Sequence, residues 1–222
     1  MKRLIIAIDG PSGAGKGTIA RTLSEHLGYR HIDTGAMYRA IGWKARHDGI
    51  AMDDESAVVE LARRATVIVE GGVVSIDGHD VTRAIRTPEI DQAATAVARL
   101  PQVREILVRR QRELGEGGGV VMEGRDIGTV VFPDADVKVY LDASAEERAR
   151  RRAADPSHTG GRAGQAAVAE SIHARDRSDT TRTVSPLMMA ADAVHIDTTR
   201  MLIDQVVEKV MELVERKIQR SS

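Results

Sequence analysis

Residues 10–18 read Gly10-Pro11-Ser12-Gly13-Ala14-Gly15-Lys16-Gly17-Thr18: two glycines five apart, a lysine next, a threonine close behind. Glycines let successive backbone N–H groups turn inward on an anion, and a helix starting behind them adds partial positive charge. A lysine at this point reaches the β and γ oxygens of a nucleoside triphosphate. This is the layout of a phosphate-binding P-loop. The run 10–18 is therefore the expected ATP-binding segment, with Lys16 as a catalytic cation. A glycine-rich turn that merely opens a helix would need neither the lysine nor the threonine.

Nucleotide binding alone names no reaction. Transfer to a second phosphate would bring several anionic oxygens together, which requires cations converging from separate elements. The chain places arginines beside acids and glycines: Arg39 after Thr34 and Tyr38, then Arg86, Arg104, Arg125-Asp126, Arg175, and Arg182 after Asp179. Arg148, Arg151 and Arg152 share one helix face through their i, i+3, i+4 spacing. Taken singly, each could be a solvated face or a surface ion pair. Their positions after strand ends favour a site, because ligands of open α/β sheets bind at the carboxyl ends of the strands. All but six of the 32 Lys+Arg are arginine, whose planar fork suits phosphate. A GC-rich coding bias would give the same excess, so only the positions count.

The elements that must hold these residues read as alternating strands and helices. The apolar run 4–8 ends in the glycine loop, and a helical pattern over 18–27 closes at Gly28. A second short run reaches Ile32. Asp33-Thr34-Gly35 then leads into a helix over 36–47, which predicts a parallel sheet covered by helices. Residues 66–70 and 73–76, joined by Gly71-Gly72, read instead as an antiparallel hairpin inside an insertion over 52–98. A helix over 101–114, an all-apolar strand at 120–122, a strand at 137–141 and a helix over 145–154 follow. The glycine-rich stretch 154–167 reads as a surface segment, a lid over the site. A helix over 168–177, a last strand at 193–196 and an amphipathic helix over 201–218 complete one domain, residues 1–222.

Composition narrows the partners. With 222 residues, 42% hydrophobic, the chain suits a single α/β domain with small inserted parts. A net charge of −1 gives no global field for a nucleic-acid backbone, so no nucleic acid is expected. The absence of cysteine removes disulfides, thiolate metal sites and cysteine nucleophiles together. The opening MKRLIIAIDG is too short in apolar residues for a signal core or a membrane span. The expectation is a monomer in the cytoplasm, away from membranes. A GTP switch is excluded because its base reader needs asparagine, and the chain has none. An ATP-driven motor or a non-catalytic ATP-binding regulator stays open, supported only by Glu123 after the apolar strand at 120–122.

At seven places the sequence resembles bacterial cytidylate kinases: IDGPSGAGKGT (8–18), DTGAMYRA (33–40), IRTPEI (85–90), QVRE (102–105), EGRDIGTVVFPDADVKVYLDAS (123–144), ARDRSDTTRTVSPL (174–187) and ADAVHIDTT (191–199). Gly17 standing between Lys16 and Thr18 is likewise similar to nucleoside monophosphate kinases. The resemblance implies a P-loop kinase fold with an inserted monophosphate-binding subdomain and a lid. It also implies phosphoryl transfer from Mg²⁺-ATP to CMP or dCMP. By the same resemblance Thr34, Arg39 and Arg125 hold the CMP phosphate, Tyr38 packs near it, and Arg86 belongs to the same CMP-binding set. Thr95, Arg104 and Asp126 face the cytosine. Asp179 and Arg182 meet the ribose, with Arg175 nearby, while Arg148 and Arg152 approach the transferring group. Lys16, Arg125, Arg148, Arg152 and Arg182 form the expected catalytic set. Asp33, at a strand end facing the P-loop, is the expected outer-sphere carboxylate for magnesium, or else a cap for the helix behind it. Ser178 stands where some relatives carry arginine. No general base is needed, because an ionised phosphate oxygen is itself the nucleophile, so none of the seven histidines is expected to be catalytic.

Overall fold

The computed structural model describes residues 3–155 and 164–221. Most of the expected lid, residues 156–163, lies outside the described residues. Five parallel strands form the main sheet: β1 (Ile5–Asp9), β2 (Arg30–Asp33), β6 (Val120–Gly124), β7 (Val137–Asp142) and β8 (Val194–Asp197). Their order is β2-β6-β1-β7-β8, so the chain crosses from β1 to the far edge and returns to fill the gap later. Strands β1 and β6 are apolar on both faces until their last one or two positions, because helices cover both sides. At those ends Asp9 pairs in register with Gly124 and Tyr140, and Asp33 with Glu123. Acids, glycines and the following loops thereby collect along one edge.

Helix α1 (Lys16–Leu27) starts directly behind the glycine loop and ends on Gly28, which takes the left-handed conformation of a helix C-cap. Gly10 is fixed by a close approach: a Cβ there would collide with the Leu141 carbonyl oxygen, so the loop can turn against β7 only without a side chain. Helix α8 (Ile203–Ser221) packs Val206, Val207, Val210 and Val214 with α1 against the apolar sides of β1 and β7. The amphipathic stripe read in the sequence is therefore core packing.

Helix α2 (Thr34–His47) begins two residues earlier than its apolar pattern indicates, since the Asp33 side chain accepts the Ala36 N–H and caps it. After α3 (Glu55–Arg64), strands β3 (Val67–Glu70) and β4 (Val73–Ile76) pair antiparallel as expected. A short third strand, β5 (His79–Asp80), and helix α4 (Pro88–Val97) were not legible from periodicity. These pieces and α5 (Pro101–Gly115) share an apolar core of their own, built on Ile41, Val58, Ile76, Ile85, Val97 and Leu107. A wide π-helical turn, Ile127–Val131, follows β6, and α6 (Ala145–Ala154) and α7 (Gln165–Thr181) stand on the far side of the sheet edge. The second core and the α6–α7 pair thus flank the P-loop.

Candidate functional site

The P-loop lies at the end of β1, and three side chains brace it from behind. Arg148 donates to the Ser12 carbonyl, to the Ala143 carbonyl and to Asp176. Arg151 donates to Thr198, whose hydroxyl in turn donates to the Ala14 carbonyl. Lys16 is buried, and its Nζ donates to the Pro11 carbonyl at 2.7 Å. Burial, then the neighbouring Arg125 and Arg175, hold the Lys16 ammonium well below its ordinary pKa. An incoming polyphosphate would reverse that balance by supplying the missing negative charge.

Gly17 has a steric reason. A Cβ there would come within 3.1 Å of Glu123 Oε1, and that carboxylate is held by His31 Nε2 at 3.0 Å. A serine or threonine directly after the lysine would compete with Glu123 for the same space.

Asp9, in the last position of β1, accepts the Ile127 and Gly128 amides at 2.8 and 2.7 Å. It ties the turn after Asp126 to the strand that carries the P-loop. Burial pushes its carboxyl up to about 6, against the pull of those two amides.

All of the residues expected at CMP, except Arg39 and Arg86, line one small cavity of about 40 Å³. Thr34 and Tyr38 come from α2, Thr95 from α4, Arg104 from α5, Arg125 and Asp126 from the loop after β6, and Arg175, Asp179 and Arg182 from α7 and its end. Arg104 is 1% exposed and donates to Asp126 Oδ2 at 2.5 Å, with its guanidinium 5.3 Å from the Tyr38 ring centroid. Arg125 donates to Asp179 at 2.9 Å, and Arg182 lies 3.9 Å from Asp126. Three buried donors here, Arg104 Nε, Arg175 Nε and Arg182 Nη2, make no hydrogen bond. Buried donors without acceptors are costly and therefore uncommon, and several in one cavity mark a place shaped for a ligand.

Arg39 and Arg86 stand outside that cavity. Arg86 donates to Asp33 at 3.2 Å, and Arg39 donates to Asp91 at 3.0 Å. Burial would raise the Asp33 carboxyl, but Arg39 and Arg86 more than offset it and hold it well below the usual carboxylate range. Of the two readings of Asp33, the helix cap is the one its hydrogen bond displays. Arg152 reaches Asp91 as well, at 2.8 Å. Between α4, α7 and Ser12 a larger cavity of about 510 Å³ opens beside the small one, with Asp91, Arg152 and Arg175 on its wall.

Five residues take parts in the site that the sequence reading did not assign to them. Asp9 and Glu123 sit inside quoted motifs but carry no spacing that announces their partners. Arg151 and Thr198 are joined only in the fold. Asp91 follows the IRTPEI block by one residue, in a helix that periodicity did not reveal.

A family model described as cytidylate kinase matches residues 6–216 of the chain. The chain is 48% identical over 211 residues to a cytidylate kinase of Caldanaerobacter subterraneus, covering 95% of this chain and 94% of that one. It is 50% identical over 211 residues to a cytidylate kinase of Pelotomaculum thermopropionicum, covering 93% of each. Among solved structures, an uncharacterised protein of Eubacterium ventriosum superposes with a TM-score of 0.51 at 10% identity, covering 96% of this chain and 99% of that one. That last likeness concerns the fold alone.

Proposed function

The chain belongs to the cytidylate kinase family, and from that premise we propose that it transfers the γ-phosphoryl group of ATP to CMP and dCMP, giving ADP and the cytidine diphosphates. The observation that carries the choice of base is the buried Arg104–Asp126 pair, in a cavity where Arg104 Nε, Arg175 Nε and Arg182 Nη2 make no hydrogen bond. Cytosine presents an amine donor at N4 and acceptors at N3 and O2, which complement a carboxylate and a guanidinium respectively. Uracil reverses N4 and N3, and each buried mismatch costs about 1–3 kcal/mol.

In the mechanism we propose, the backbone amides of residues 10–18 and Lys16 hold the ATP phosphates. Arg125 and Arg39 orient the acceptor phosphate, whose own oxygen attacks in line. Arg152, Arg175 and Arg182 offset the charge that builds up as the two phosphates approach. Arg148 serves by fixing the Ser12 carbonyl and so the shape of the P-loop, which its three hydrogen bonds support. Among the described residues no three His, Cys, Asp or Glu side chains gather as a metal cage. Glu123 and Asp33, register partners on β6 and β2, are donors suited to an ion that arrives with the nucleotide and keeps its waters. Mg²⁺ bound there would supply positive charge to offset that of the nucleotide's phosphates.

A cavity of about 40 Å³ is far below the ~300 Å³ of small ligand pockets. We therefore take the insertion over 52–98 as a monophosphate-binding subdomain that swings out to admit CMP and closes over it, together with a lid over 154–167. No helix among the described residues is long and apolar enough to cross a membrane. We take the chain to act as a monomer on free nucleotides in the cytoplasm.

The test is ADP release with CMP, dCMP, UMP, AMP and GMP offered in turn. The fastest turnover is expected with CMP and dCMP, and faster turnover with any of the other three overturns the assignment.

A further inference from the structure

Asp91 stands in the first turn of α4 and, among the described residues, faces guanidiniums delivered by three other helices. Its Oδ1 accepts Arg39 Nε from α2 at 3.0 Å and Arg175 Nη1 from α7 at 3.1 Å, and its Oδ2 accepts Arg152 Nη2 from α6 at 2.8 Å. All four side chains are between 9% and 16% exposed. Among the described residues these three guanidiniums share the Asp91 carboxylate in a poorly hydrated place, with Asp33 as a second acid 3.9 Å from Arg39. Burial first, partly offset by Asp91, together with repulsion from Arg39 and Arg175, brings Arg152 down to about 10. Burial and the neighbouring Arg125 and Arg39 lower Arg175 as well.

The position matters as much as the charge. Asp91 and Ser12 of the P-loop are on the wall of the same cavity, and Arg175 lines both that cavity and the small base pocket. The carboxylate therefore lies between the place that holds a triphosphate and the place that holds a nucleoside. Any phosphate joining the two must meet the arginines that Asp91 already occupies.

We propose that Asp91 is an internal anion: its carboxylate stands in for the acceptor's phosphate in the empty protein and yields Arg39, Arg152 and Arg175 to that phosphate on binding. It holds the three arginines in a binding geometry and subtracts a charge-for-charge exchange from the affinity for any anionic ligand. Asp91 is thus a positioning residue that also sets affinity. It ties α4 to α6 and α7 until nucleotide replaces it. The inference rests on the cleft being the nucleotide site proposed above.

The opposite possibility makes the opposite prediction. If Asp91 kept its three partners in the complex and merely oriented them, neutralising it would loosen the arginines and weaken binding of anions. Calorimetric titration of CMP, inorganic phosphate and cytidine into the native protein, Asp91→Asn and Asp91→Ser separates the two. Removing the competing charge should tighten CMP and inorganic phosphate by about tenfold and leave cytidine, which brings no phosphate, where it was. The KM for CMP should fall with no rise in kcat. Weaker or unchanged CMP binding in the variants that remain folded, or an equal shift for cytidine, overturns the proposal. Arg39→Ala in the otherwise native chain keeps the two levels apart. If it leaves CMP binding intact, the reading of the cleft fails; if it abolishes binding while neither Asp91 variant tightens it, only the internal anion fails.

Discussion

Replacing Asp126 by asparagine tests base recognition at its centre. The side chain keeps its size, but a pure acceptor becomes one that can also donate, and the partner it leaves behind, Arg104, is 1% exposed. The new amide can still accept one Arg104 N–H, so the fold should lose about 1–3 kcal/mol, short of what a wholly unpaired buried charge costs. The catalytic effect has a different signature. CMP loses a charge-assisted bond from its N4 amine, worth about 1.5–3 kcal/mol, which is roughly ten- to hundredfold in kcat/KM. UMP instead gains a donor for its O4, so its kcat/KM should fall less or rise. The ratio of the two specificity constants should therefore narrow by about tenfold or more, corresponding to ~1.4 kcal/mol of lost discrimination. The KM for ATP should stay put. Steady-state kinetics with both monophosphates, alongside urea unfolding to measure the loss of stability, gives the answer. A parallel fall for CMP and UMP would refute the reasoning: Asp126 would then act only by placing Arg104 and the adjoining Arg125, with no part in reading the base.

Lys16→Ala should lower kcat by about a hundredfold or more, while stability holds or improves, since the buried ammonium is already held well below its ordinary pKa; undiminished turnover in a folded variant would remove the P-loop from the chemistry. Asp9 offers a pH test with a definite sign. Its carboxyl is raised to about 6 in the fold against 3.8 as an ordinary carboxylate. Its stabilising contribution is therefore complete below the lower value and is lost as pH rises through the higher one. Asp9→Asn leaves one of the Ile127 and Gly128 amides short at every pH, so the difference in urea stability between native protein and variant should shrink by about 2 kcal/mol from pH 4 to pH 7. A difference that is constant or grows with pH counts against the burial of that charge.

Several parts of the protein were legible residue by residue. The P-loop is local in sequence: its glycines, its lysine and the helix behind it are consecutive, so the pattern by itself fixes where phosphate goes. The β-α order gave the parallel sheet, and the Gly71-Gly72 turn gave the hairpin, because both follow from short-range chemistry. Helix α4 escaped because its apolar residues, Ile90, Ala93, Ala94 and Val97, are mostly small, and its start is marked by Thr87 and Pro88, within a stretch that reads as loop. The π-helical turn after Asp126 escaped for another reason. It is held by Asp9, more than a hundred residues away in the chain, and no local propensity encodes a hydrogen bond to a distant carboxylate.

The arginines mark the boundary most clearly. The sequence by itself determined that cations sufficient for two phosphates were present, and the family motifs pointed to most of those that gather around one cavity. It could not say what each guanidinium does when no nucleotide is there, since a charged side chain on a long flexible stem takes its role from whichever partner the fold brings within about 3 Å. Only the tertiary structure turned Arg148 toward the P-loop carbonyl, set Arg86 on Asp33, and brought Arg39, Arg152 and Arg175 from three helices onto Asp91. Spacing along the chain records which residues share a helix face. Electrostatic partnership depends on distance through space, and the packing of α4 against α2 and α7, and of α7 against α6, decided it.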